Sequence, residues 1–271
     1  MFVDEPFEPK ILQQTFQDLS QLKTLKDPIC IVGVSDLTDL GPHCVKYLIE
    51  ELKAEKIVSY YYSDFEPICI VQEQDKTIEL AKIEIYMVKN FQNTRDFIII
   101  TGIGLPRSPI GINFLSDKLA EFISSYNPHI IISISTIPIS HSTQKSRIFL
   151  AQTSEKVINF FKIDEKNHQN KELGLQLFQK GVVIGTSGLI VTYAQSLYNI
   201  IGGIILAEAN EYEKIDFTAI KAVLDLLDKV FNLKLSFRSY NSDLEDYSKK
   251  QPVDWDSNEE IMKDVRKRIL S

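Results

Sequence analysis

The sequence predicts an α/β fold: a three-layer, mainly parallel sheet with helices on both faces, followed by a C-terminal helical tail. Three observations predict it. Apolar, β-branched runs recur at Ile29–Val34, Phe97–Thr101, Ile130–Ile134 and Ile204–Ala207. Each is strand-sized and apolar on both faces, as in a covered parallel sheet. Between them lie segments with apolar residues at helical spacing, such as Val45, Leu48, Ile49 and Leu52. Turn and cap residues separate the two kinds of segment, and strand–helix alternation builds a sheet with its helices packed outside.

Taken in order, residues 1–27 form a lead-in, where Leu12, Phe16, Leu19 and Leu22 predict a short amphipathic helix. Pro28 precedes the first strand. Gly41-Pro42 opens a helix to about Lys53. Ile57–Tyr62 is the next strand, and Asp64-Phe65-Glu66-Pro67 turns the chain into Ile68–Val71. Thr77–Val88 nearly alternates apolar with polar residues. It predicts antiparallel or edge strands with one wet face and a kink near Ala81. A helix is expected over residues 113–126, a polar loop over Ser135–Ser146, a short strand over Arg147–Ala151 and a helix over Glu172–Phe178.

Ser187 is expected to cap a helix running from Leu189 to about Tyr198, and Asp216 to cap one over Phe217–Phe231. Residues 239–258 are polar and acidic. Ser257 and Glu260 fit a capping box ahead of a stripe of Ile261, Met262, Val265 and Ile269. Three segments follow: a lead-in over 1–27, an α/β domain over 28–235, and an acidic linker with an amphipathic helix over 236–271.

The net charge is −7 and the pI about 5.3, a balance that argues against nucleic acid, whose phosphates demand a basic surface. No apolar run approaches the roughly 20 residues of a membrane helix. The first ten residues are acidic and lack the apolar core of a secretory leader. Cys30, Cys44 and Cys69 match no zinc or redox spacing and suit a reducing cytoplasm. No metal or cofactor is expected.

Ligands of such sheets bind at strand carboxyl ends, here Ser35–Gly41, Thr101–Ile110, Ser135–Ser146 and Glu208–Tyr212. Gly102-Ile103-Gly104 follows a strand, but the third glycine of a dinucleotide fingerprint is replaced by Arg107. Arg107 could instead hold an anion at a helix N-terminus. Gly185-Thr186-Ser187-Gly188 lacks the glycine that a nucleophile elbow needs at position 189. His141 lies among serines, and Glu208 ends a buried strand. Arg107, His141 and Glu208 are thus the residues of a candidate pocket, and no catalytic set emerges.

Four ordered segments carry a resemblance. The first is Ile29-Cys30-Ile31-Val32-Gly33-Val34 with Gly41, and the second Ser63-Asp64-Phe65-Glu66-Pro67. The third is Phe97 to Gly102 followed by Ile130 to Ser133. The fourth is Gly185-Thr186-Ser187-Gly188-Leu189 through Gly203 to Glu208. Together they resemble the proteasome assembly chaperone family, in its archaeal-type and second-chaperone branch. Ser35, Asp36 and Thr38 stand where that family commonly has proline and glycine.

The resemblance implies a nucleoside-phosphorylase-like fold without its catalytic equipment, homo-oligomers or heterodimers, and a role in assembling proteasome α-rings. It also implies partner binding through a C-terminal hydrophobic–tyrosine–any tail, here Ile269, Leu270 and Ser271, with leucine in the tyrosine's place. The expected function is a cytoplasmic, non-enzymatic protein-binding factor whose partners are proteasome α subunits. The alternative is a nucleoside-phosphorylase-like enzyme or small-molecule binder with its pocket at the strand carboxyl ends.

Overall fold

The β-branched runs pair into one ten-stranded sheet in the order β1-β3-β6-β7-β2-β8-β12-β9-β11-β10. The strands are β1 (Ile11–Thr15), β2 (Ile29–Val34), β3 (Glu55–Tyr62), β6 (Lys82–Phe91), β7 (Arg95–Ile103), β8 (Ile130–Ile139), β9 (Ile148–Gln152), β10 (Gln169–Asn170), β11 (Leu175–Leu177) and β12 (Gly202–Asn210). A separate two-stranded sheet pairs β4 (Cys69–Val71) with β5 (Ile78–Leu80). The helices are α1 (Leu40–Leu52), α2 (Pro109–Ser124), α3 (Glu155–Phe160), α4 (Thr186–Tyr198), α5 (Phe217–Phe231) and α6 (Arg238–Lys249). This computed structural model describes residues 9–35, 38–71, 76–91, 95–141, 143–164, 166–213 and 215–249. They fall into two units that meet in sequence between Leu235 and Ser236.

Four central strands, β7, β2, β8 and β12, run parallel, so their carboxyl ends share one edge. Ile31 of β2 lies between Ile99 of β7 and Ile132 of β8. Antiparallel strands flank this core: β6, β3 and β1 on one side, β9 on the other. The α/β class expected from the sequence is the one observed.

Residue alternation divides the sheet between two helical layers. Cys30, Val32, Ile98, Ile100, Ile131 and Leu206 face a layer where α2 contributes Leu115 and Leu119 and α4 contributes Ile190 and Ala194. On the opposite face α1 lies across β2, β7 and β8 and packs on α5. Phe97 meets Phe231 of α5 edge to face at 5.7 Å. Burial pushes the Cys30 and Cys44 thiols far above their ordinary range, which leaves both inert. Cys69 is exposed on β4.

Helix and sheet approach each other closely at Gly33. A β-carbon there would overlap the Gly41 carbonyl and the Val45 side chain. Gly41, the second residue of α1, faces the Gly33 backbone and the Ile134 carbonyl oxygen. Two glycines therefore let α1 seat directly on the central strand.

Several expectations needed correction. Leu12 and Phe16 belong to no helix. Ile11–Thr15 extends along β3 as an edge strand, and only a 3₁₀ turn follows at Leu19–Thr24. The predicted helix over Glu172–Phe178 is a hairpin, because Gly174 turns the chain at a left-handed φ of 68° and Leu175 is buried by alternation. β8 runs five residues further than expected, to Ile139, since it pairs with β12 from Ile131 to that end. The alternating Thr77–Val88 segment is antiparallel and breaks at Ala81, as its pattern predicted. The helix expected after Ser257 lies outside the described residues. Among the described residues, no helix is long and apolar enough to cross a membrane.

One charged network closes the outer face of β3 and β6. Glu84 accepts from Lys56 at 2.6 Å and Tyr86 at 3.0 Å, and Lys82 pairs with it at 3.2 Å. Burial pushes the Glu84 carboxyl up, but the two lysines outweigh it and hold it below the ordinary carboxylate range.

Two predictions follow from this packing. Gly33→Ala should cost about 3 kcal/mol and lower the thermal midpoint by roughly 6–12 °C, measured by circular dichroism. Glu84→Gln should cost about 1–3 kcal/mol at neutral pH. Because the folded pKa is depressed, the stabilisation is complete above the unfolded value and fades as pH falls through the folded one. Wild type and variant should therefore converge in urea midpoint under acid conditions.

Candidate functional site

The carboxyl edge of the parallel strands is built from short polar side chains that bind one another. Ser35, at the end of β2, donates to Asp39 at 2.7 Å, and Thr38 shares a 2.6 Å bond with Thr136 of β8. These contacts tie the entry of α1 to the neighbouring strand and consume polar groups at the point where a ligand of such a sheet would sit.

The next loop along this edge carries Arg107. Its geometry is set by the turn at Asp64-Phe65-Glu66-Pro67. The Arg107 N–H donates to the Asp64 carbonyl at 2.8 Å, and the Glu66 N–H to the Leu105 carbonyl at 3.0 Å. The Asp64 carboxylate accepts from both the N–H and the hydroxyl of Ser108, each at 3.0 Å. Ser108 is the N-cap of α2 and accepts from the Gly111 N–H at 2.9 Å, with Pro109 in the first helical position. A β-carbon on Gly111 would strike the Asp64 carboxylate.

The start of α2 thus already holds an anion, and that anion is Asp64. Arg107 is exposed beside it. Tyr62 completes the clamp. Its ring stacks on Phe114 at 6.0 Å and its hydroxyl donates to the Gly111 carbonyl at 2.9 Å. Burial, followed by the Asp64 charge, pushes its pKa up and keeps it a donor.

Glu208 is buried near the end of β12. Its carboxylate takes both Nε, at 2.8 Å, and Nη2 of Arg147, a two-pronged pair. The hydrogen bond and then the charge of Glu208 hold the Arg147 guanidinium above its ordinary pKa. Ser146 donates to the Glu208 carbonyl at 2.6 Å. Sequence reasoning offered Glu208 as a residue of the candidate pocket. It missed Arg147, whose signal was a cation opening an apolar strand.

His141 is exposed just beyond β8. It lies near the β12 end of the edge, because the Glu211 N–H binds the Ile139 carbonyl. Arg107 follows β7, three strand spacings from β12, or about 14 Å along the sheet. The three candidate pocket residues therefore share one edge, but the fold spreads them along it. Ile269, Leu270 and Ser271 lie outside the described residues.

Gly185 stands at the N-cap of α4, which moves Ser187 inside the helix. Among the described residues its hydroxyl and that of Ser133 on β8 are buried without a hydrogen-bond partner. The second glycine motif repeats the logic of the first. A β-carbon on Gly202 would press on Val191 of α4 and the Ile131 carbonyl. Between α2 and α4 lies an open groove of about 610 Å³ lined by Ile110, Asn113, Phe114, Asp117, Tyr193 and Leu197. Ile110 and Leu197 are 70% and 59% exposed there. No cluster that could hold a metal ion occurs among the described residues.

The PAC2 family model matches residues 30–251. The chain belongs to the PAC2 family. An uncharacterized protein of Methanocaldococcus jannaschii is 24% identical over 230 residues, covering 85% of this chain and 83% of its own. Among solved structures, Pyrococcus furiosus PbaB, described as an archaeal proteasome activator, matches with a TM-score of 0.72 at 22% identity. The match covers 94% of this chain and 98% of that one. Pyrococcus furiosus PbaA, described as an archaeal homolog of proteasome-assembly chaperone, matches at 0.68 and 17% identity, over 96% and 100%. A Thermoplasma acidophilum protein of unknown function matches at 0.69 and 16%, over 93% and 95%. These likenesses establish the fold of this PAC2 chain.

Asp64→Ala should cost about 1–3 kcal/mol by removing the acceptor that orders Ser108 and the α2 start. Hydrogen exchange should speed up first at Ser108 and Gly111, ahead of the central strands.

Proposed function

We propose that this chain is a non-enzymatic protein-binding factor of the proteasome assembly chaperone type, acting in the cytoplasm as a homo-oligomer on proteasome α subunits. The observation that carries this reading is how the family motifs are used. Gly33, Gly41 and Gly202 serve close helix–sheet packing. Asp64 of the second motif caps α2, and Glu208 of the fourth is bound to Arg147. The motif residues thus specify a scaffold, and none of these groups is poised over a reaction space. Function on a scaffold of this kind rests with its surface.

Membership of the PAC2 family supports a chaperone-like role, and PbaB, an archaeal proteasome activator, and PbaA, an archaeal homolog of proteasome-assembly chaperone, associate this fold with proteasomes. The groove between α2 and α4 offers exposed apolar side chains of the kind that protein partners cover. The terminal Ile269-Leu270-Ser271 is the proposed tail contact, with leucine filling the tyrosine's place.

Native mass spectrometry of the full chain with the host's proteasome α subunits tests the reading. A complex should form and should weaken when residues 269–271 are removed. Absence of any complex would refute the proteasome assignment. A large thermal stabilisation by phosphate or a nucleoside would instead favour a small-molecule site.

A further inference from the structure

A basic pocket lies among the described residues of an acidic chain. Residues 145–176 carry six lysines and arginines against four acidic residues, in a chain whose net charge is −7. Within that stretch a cavity of about 280 Å³ opens at the sheet margin, where the start of β9 meets the β10–β11 hairpin. It is lined by Lys145, Arg147, Asn170, Lys171 and Gln176, among others. Lys145 and Lys171 have no carboxylate partner among the described residues.

Arg147 is the organised member of this set. Glu208 grips Nε and Nη2 from the β12 side. The guanidinium carbon lies 5.7 Å from the centre of the Phe149 ring. A guanidinium has five N–H donors, so three remain after Glu208 is served. Its ordering cost is incurred on folding and not on binding. Asn170, on the far wall, is tethered through its amide to the Phe161 carbonyl at 3.0 Å and the Lys162 carbonyl at 3.2 Å. The pocket therefore has one oriented guanidinium, two exposed ammonium groups and a tethered amide on its wall. Glu208 neutralises one of the three cations, leaving a net excess of two positive charges.

We propose that this pocket captures the carboxylates of an acidic segment on a protein partner. Two features favour that ligand. The pocket opens on the sheet margin, where an extended segment can reach it. Its cations are spaced along the wall, Lys145 and Arg147 just before β9 and Lys171 in the hairpin turn, and so suit several singly charged carboxylates. The proposal rests on the protein-binding reading above, but not on the identity of the proteasome as partner.

Hexaglutamate serves as the probe and requires no proteasome subunit. Titrated into the ¹⁵N-labelled full chain, it should shift amides of residues 145–147 and 169–176 saturably, and less so as salt is raised. Lys145→Glu combined with Lys171→Glu, both exposed, should leave the thermal midpoint unchanged and weaken binding roughly tenfold or more. Three results would overturn the proposal: no saturable shifts, shifts centred elsewhere, or binding indifferent to the double reversal. Inorganic phosphate titrated in parallel is the discriminating arm. If phosphate saturates the same amides in preference to hexaglutamate, the pocket is a small-oxyanion site. A failure here alongside a complex with proteasome subunits would leave the assembly reading standing.

Discussion

The contact on which the rest of the molecule depends is the seating of α1 against the middle of β2 at Gly33 and Gly41. β2 is the central parallel strand, paired with β7 on one side and β8 on the other. With no side chain at Gly33, the first turn of α1 descends onto the sheet until Val45 reaches the strand. That depth brings Thr38 within hydrogen-bond range of Thr136 on β8 and lets Ser35 reach Asp39. The polar closure of the carboxyl edge is thus a consequence of this close packing. Gly202 does the same for α4 on the other face. Two glycine contacts set how closely both helical layers approach a single sheet.

Much of this was legible in the sequence, for a physical reason. Strands buried on both faces must be apolar at every position, and helices on a sheet must be apolar on one stripe, so both leave a period that survives without coordinates. The break at Ala81 and the Asp216 cap were legible in the same way, because each is a local event. Asp216 accepts from the Ala219 N–H at 2.9 Å, three residues along. Misreadings fell where local pattern and tertiary pairing disagree. Leu12 and Phe16 have helical spacing, yet the free edge of β3 offers backbone partners that a short exposed helix could not match. The segment after Lys171 reads as helical until Gly174 takes a left-handed φ.

The candidate site was less legible than the fold, because its contacts join residues far apart in the chain. Asp64 and Ser108 are 44 positions apart, and Arg147 and Glu208 are 61. No periodicity links such pairs. Sequence supplied one member of each and the wrong setting for it. Asp64 read as a turn former is also the anion of α2, and Glu208 read as a lone carboxylate is half of an ion pair.

These pairs change what the carboxyl edge can do. In an open sheet of parallel strands, ligands are held there by helix N-termini and by charged groups at strand ends. This chain fills those roles with its own side chains: a carboxylate at α2, hydroxyls at α1, and a guanidinium on Glu208. Each satisfied group removes a reason for a small molecule to bind, and each adds stiffness to the edge. The rigid edge then passes orientation outward. Glu208, buried and bonded to both Nε and Nη2, orients Arg147 at the surface, where Arg147 lines the basic pocket. A framework built in this way can present surface groups to a protein partner with little to order on contact, which is what binding without chemistry requires.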